Sequence, residues 1–225
     1  MIRIWKIVNR SLICVRIYKG FLFQIIRNYQ SVNSTLEQYE SLVKSKNVSF
    51  HFDFFYDIFT NEETMSLLRT KEIVANSAWA VKLVLCPNLE LINEFLVTAG
   101  HEITHLDDFP EDDYFDENKK FIRWINEVHA DFGGAKIMVD SSKEKLISSI
   151  DYKIELKSKK KMTWTRRLLI KLIGSTHPLW NQRRTYAETG TFNEKLIRMI
   201  ASDMGSVDEE LIKKVVKHYD EIILK

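Results

Sequence analysis

Leu91-Ile92-Asn93-Glu94-Phe95-Leu96-Val97-Thr98-Ala99-Gly100-His101-Glu102-Ile103-Thr104-His105 decides how the chain is read. Ile92, Phe95, Leu96, Ala99 and Ile103 recur at helical spacing. A helix over about 89–106 with one apolar face is therefore expected. At its end stands His-Glu-x-x-His. Side chains four apart on a helix share a face, about 5–6 Å apart, so the imidazoles of His101 and His105 can reach one tetrahedral metal ion. Glu102 lies next to the first imidazole without being a ligand. There it can take a proton from a metal-activated water and pass it on, the role of a general base.

A catalytic zinc needs a third protein ligand and an open fourth position. A third histidine six residues beyond His105 is one known solution, but Glu111 stands there and Asp108 stands where a glycine would be needed. The other solution is a carboxylate on a following helix. Phe121, Ile125, Val128, Phe132 and Ala135 form an apolar stripe that predicts such a helix over about 117–139, after an acidic loop from Asp107 to Asp116. It offers Glu127, with His129 as the competing ligand two residues away, about 200° round the helix. Asp131 is one turn beyond Glu127 on the same face. It is a candidate to accept a hydrogen bond from the outer nitrogen of a ligating histidine and so fix its tautomer.

Elsewhere the sequence is less specific. Ser34 and the spacing of Leu36, Tyr39, Leu42 and Val43 suggest a helix over 31–47. The aromatic-rich stretch 48–60 reads as a strand or short buried segment, and 62–74 as a helix. Trp79, Val81, Leu83 and Leu85 alternate, which predicts a strand over 77–86 ended by Cys86-Pro87-Asn88. Lysines at 157 and 159–161 lead through Arg166 and Arg167 into the apolar run 168–173, read as a surface connection or a membrane-facing patch. From Asn181 onward two or three helices are expected.

Composition bounds the class. The chain has 225 residues, of which 45% are hydrophobic, enough for a real core. Seven glycines and three prolines leave little turn chemistry, which favours helices over many short strands. The expected class is α+β and mainly helical. A net charge of +2 argues against a nucleic-acid partner. Cys14 and Cys86 make neither a metal-type pair nor a disulfide framework.

Charge divides the chain at its start. Residues 1–36 hold Arg3, Lys6, Arg10, Arg16, Lys19 and Arg27 and no acid, among many apolar residues. They are set apart as a basic apolar segment, with 37–225 as one domain. No uncharged apolar run there reaches the roughly 20 residues needed to span a bilayer. Two readings stand: a helix packed on the domain with its cations turned outward, or an interfacial helix on an anionic membrane. The expected location is cytoplasmic, with peripheral attachment to the inner face of the membrane under the second reading.

Taken together, His101 to His105, the string Ile125-Asn126-Glu127 with Asp131, and Gly174-Ser175-Thr176-His177-Pro178 followed by Arg183 resemble the gluzincin zinc peptidases. Within them the last segment is similar to the Ser-Thr-His-Pro-x-x-x-x-Arg motif of the HtpX and CAAX prenyl protease (Ste24-like) family. Asn76 to Val84 resembles that family's strand ahead of the zinc helix, with Ser77 interrupting its Asn-Ala pair. The likeness covers roughly residues 75–190.

The resemblance implies a zincin-like metallopeptidase domain with a small sheet packed on the zinc-site helix. It implies a zinc ion held by His101, His105 and Glu127, catalysis by Glu102, and a peptide or protein substrate. His177 would donate a hydrogen bond to the oxyanion of the tetrahedral carbonyl. Asp131 and Arg183 would support the ligands or the substrate, and the strand would hold substrate backbone by edge pairing. Integral-membrane members carry long hydrophobic spans that this chain lacks, so a compact, soluble or peripheral relative is expected. The alternative is a catalytically inactive zincin-fold protein with a binding or regulatory role; keeping a base at position 102 speaks for the enzyme.

Overall fold

The computed structural model describes residues 46–53, 65–67, 70–76, 79, 82, 89–110, 116–138, 143–158, 177–205 and 207–223. The expectations for 1–36, for the helix within 31–45, for both cysteines and for residues 159–176 lie outside these residues. The described part is mainly helical with one small sheet. The chain divides into two compact units, Met1–Ile103 with Ile137–Val139, and Thr104–Lys136 with Asp140–Lys225. Among the described residues no helix is long and apolar enough to cross a membrane.

The first unit holds strands β1 (Ser49–Asp53), β2 (Met65–Leu67) and β3 (Glu72–Asn76) and helix α1, Leu89–Thr104. The strand order is β1-β3-β2, with β1 parallel and β2 antiparallel to the central strand. Two expectations are corrected here. The stretch 62–74 is not a helix in its described residues: Met65, Ser66 and Leu67 pair with Ala75, Val74 and Ile73 across a turn containing Lys71 at φ 59°. Ile73 and Ala75 are completely buried, and a β-branched, apolar run flanked on both sides is what a central strand requires. The strand expected over 77–86 lies earlier, at Glu72–Asn76, while Trp79 and Lys82 are helical.

The edge pairing with substrate expected of Asn76 to Val84 falls mostly outside the described residues; β3 itself is central, with β1 beside it from Glu72 to Asn76 and β2 from Ile73 to Ala75. The sheet meets α1 through aromatic edges. The Phe50 and Phe95 rings are T-shaped at 5.8 Å, and Trp79 meets Phe95 at 5.6 Å. Such pairs add about 0.5–1.5 kcal/mol beyond the area they bury. Leu91, Ile92, Phe95, Leu96, Ala99 and Ile103 are buried, so the apolar face of α1 is the one its spacing predicts.

The second unit is helical. Its elements are a 3₁₀ turn (His105–Asp107) and helices α2 (Asp116–Met138), α3 (Lys143–Ser158), α4 (Trp180–Ala187), α5 (Glu194–Met204) and α6 (Glu209–Ile223). One core joins Phe121, Ile122, Ile125 and Val128 of α2 to Ile197 and Ile200 of α5 and Leu211, Val215 and Tyr219 of α6. A smaller cluster packs Ala135 of α2 with Leu146 and Ile150 of α3 and Ala187 of α4. Helix α5 starts at Asn193, whose side chain accepts from the Leu196 N–H, and stops at Gly205 with φ 95°. At Gly133 a Cβ would come within 2.3 Å of the Thr104 side chain, so glycine is what lets α2 lie against the end of the His-Glu-x-x-His segment.

Candidate metal centre

His101 and His105 stand one turn apart on a continuous helical segment. Helix α1 ends at Thr104 and tightens into the 3₁₀ turn, and Pro110 bars any continuation. Glu127 is on α2, half-buried and off its apolar stripe. A ring nitrogen of each histidine and a carboxylate oxygen of Glu127 all lie within 4.8 Å of one another, and all three residues are half-buried. The Nε2 of His105 is 3.8 Å from Glu127 Oε1. Two donors bound to a tetrahedral zinc at about 2.0–2.1 Å would be about 3.3 Å apart, so the set needs to close by only about half an ångström there. Two imidazoles and a carboxylate are also the donor chemistry a catalytic zinc takes.

Two further groups, Arg183 and His177, meet Glu127, and Arg183 also meets Asp131. Arg183 donates from Nη1 to Glu127 Oε2 at 3.1 Å and from Nε to Asp131 Oδ2 at 2.7 Å, while its Nη2 pairs with Asp131 Oδ1. It is only 7% exposed and lies 4.1 Å from the Trp180 ring centroid. The adjacent Arg184 instead points to Asp151 and Glu188 at the surface. One Glu127 oxygen is thus fixed by arginine while the other faces the imidazoles. His177 is 58% exposed, and its Nε2 is 3.5 Å from Glu127 Oε1. Residues 174–176 before it lie outside the described residues.

His129 takes the other side of α2. It is 8% exposed and packs its ring against Tyr219 at 4.4 Å and Phe192 at 5.0 Å. Of the two candidates for third ligand, the one at 127 is with the histidines and the one at 129 is in the aromatic core. Glu102 is half-buried on α1, next to His101.

His105 has a carboxylate partner of its own. Its outer nitrogen, Nδ1, faces Asp108, at 2.9 Å from Oδ2 and 3.1 Å from Oδ1. Both Asp131 oxygens are engaged by Arg183. The carboxylate beside the outer nitrogen of His105 is that of Asp108.

Sequence reasoning also passed over Asn126. Its Oδ1 accepts from the Phe109 N–H at 3.1 Å, its Nδ2 donates to the Phe109 carbonyl at 3.0 Å, and the Tyr219 hydroxyl donates to the same Oδ1 at 2.5 Å. Burial, with the Asp108 carboxylate adding to it, holds the Tyr219 hydroxyl well above its ordinary pKa, so it stays protonated. The available signal was a single amide between Ile125 and Glu127, on a turn that also carries Trp124 and Val128.

Compared with known proteins, the chain matches no family model, no curated protein and no solved structure.

Proposed function

We propose that this protein is a zinc-dependent endopeptidase of zincin-like type, acting on peptide or protein backbone. The observation that carries the reading is the convergence of His101, His105 and Glu127, two of them from the His-Glu-x-x-His string and the third from the next helix. The likeness of the sequence motifs to the gluzincins, and to the HtpX and Ste24-like family among them, points the same way.

When bound, zinc would lower the pKa of a coordinated water toward about 7 and polarise the scissile carbonyl. The rest falls to the protein's own side chains. Glu102 takes the proton of the attacking water and delivers it to the departing amine nitrogen. His177 is exposed enough to meet substrate, and it donates a hydrogen bond to the carbonyl oxygen as negative charge builds there. Arg183 aims Glu127 by holding one of its oxygens.

The test is a zinc titration against a competing chelator, followed by digestion of a protein mixture with new termini read by mass spectrometry. Glu127→Ala is expected to bind zinc at least about tenfold more weakly and to lose cleavage in proportion. His129→Ala is expected to lose core stability but keep the zinc affinity. The opposite ranking would move the third ligand to His129 and overturn the assignment of Glu127.

A further inference from the structure

We infer that Asp108 is a positioning residue for the metal centre, holding His105 so that Nε2 faces the ion; this rests on the zinc reading above. The local backbone is what makes it possible. In an α-helix a side chain three residues on is rotated by about 300°, whereas in a 3₁₀ turn it is eclipsed. The turn at His105–Asp107 therefore brings Asp108 directly beneath the His105 ring. The Asp108 N–H bonds back to the His105 carbonyl at 3.3 Å, and its carboxylate takes Nδ1. With Nδ1 so engaged, the proton of a neutral ring sits there and Nε2 keeps its lone pair. Nε2 is the atom 3.8 Å from Glu127 Oε1.

Asp108 is itself fixed from both sides. The Asp107 carbonyl is 3.0 Å from His218 Nε2. Phe109 has both of its peptide groups held by the Asn126 amide, and its N–H also reaches the Tyr219 hydroxyl at 3.2 Å. The Phe109 ring is buried against His218, T-shaped at 5.2 Å. Asn126 is the neighbour of Glu127 on α2. One amide thus ties the segment carrying the His105 acceptor to the helix carrying the third ligand, so that two donors from different elements share a frame.

The His105–Asp108 pair is a weak device for stability. The two side chains are 18% and 29% exposed, so water competes for their hydrogen bond and screens it. The braces around Asp108 are out of proportion to that. They are in proportion to ligand orientation, where carboxylate partners of ligating histidines are worth about 10–100-fold in metal affinity.

The experiment uses the full chain, with Asp108→Ala, Asp108→Asn and His105→Ala beside the wild type. Zinc affinity is measured against a competing chelator, and the tautomer of His105 in metal-free protein by ¹⁵N NMR of the imidazoles. The expected wild-type result is a proton on Nδ1 and tight zinc binding. Asp108→Ala should lose the single tautomer and bind zinc at least about tenfold more weakly, with unchanged folding by circular dichroism. Asp108→Asn, which keeps an acceptor oxygen, should recover the tautomer and part of the affinity. Wild-type zinc affinity in Asp108→Ala, or an unchanged His105 tautomer, would overturn the positioning role and leave the metal centre standing. Failure of the wild type to bind zinc at all, with the tautomer as expected, would overturn the metal reading and the role with it.

Discussion

Glu102→Gln is expected to bind zinc as tightly as the parent and to hydrolyse peptide at least about a thousandfold more slowly. Glutamine fills the same space on α1 and leaves His101, His105 and Glu127 in place, so the metal site survives. What goes is the only property the mechanism asks of residue 102, a carboxylate that can carry a proton between water and the leaving nitrogen. The loss should fall in kcat with KM nearly unchanged, because proton transfer belongs to the transition state and not to substrate binding. Parallel zinc titration and kinetics decide it. Parent-like kcat would remove Glu102 from the chemistry, whereas loss of zinc together with activity would mean that the side chain supports the ligands instead.

The second large effect is on folding. Arg183→Ala should destabilise the metal-free protein by about 3–5 kcal/mol, since it strands the Asp131 carboxylate at 7% exposure without its bidentate partner. Arg183→Lys should recover only part of this, because an ammonium cannot serve two carboxylates through a planar fork. Removing both charges in Arg183→Ala/Asp131→Ala should be less damaging than the sum of the single changes. Denaturant titration of the wild type, Arg183→Ala, Arg183→Lys, Asp131→Ala and the double variant measures it. A single Arg183→Ala change worth less than about 0.5 kcal/mol would show that the pair is solvated and does not brace Glu127.

The helices that carry His101, His105 and Glu127 were legible because their signal is local. Ile92, Phe95, Leu96 and Ile103 on α1, and Phe121, Ile125 and Val128 on α2, are buried as their spacing predicts. The same period arithmetic separated Glu127 from His129. The sheet was harder to read. Trp79, Val81, Leu83 and Leu85 recur at every second position as in a strand, yet position 79 is helical, and the short strand at Met65–Leu67 has too few residues to show a period. Helix α3 went unread because its few apolar residues, such as Leu146 and Ile150, sit among charged ones.

The supports of the site were invisible for a different reason. Asn126 meets Phe109 across 17 residues and Tyr219 across 93, and Arg183 meets Asp131 across 52. Resemblance to a motif gave Arg183 a role, whereas Asn126 stood in the Ile125-Asn126-Glu127 string without one. Asp108 is close in sequence to His105, but its alignment depends on the change from α to 3₁₀ winding at Thr104–His105, which residue types alone did not announce.

The most direct test of the account is the metal content of the purified protein, by elemental analysis of the wild type and of His101→Ala. About one zinc per chain in the wild type, lost in His101→Ala, is the predicted result, since a site with three protein ligands does not survive removal of one imidazole. No zinc in either protein, even after reconstitution with the metal, would contradict it: His101, His105 and Glu127 would then converge without forming a working site.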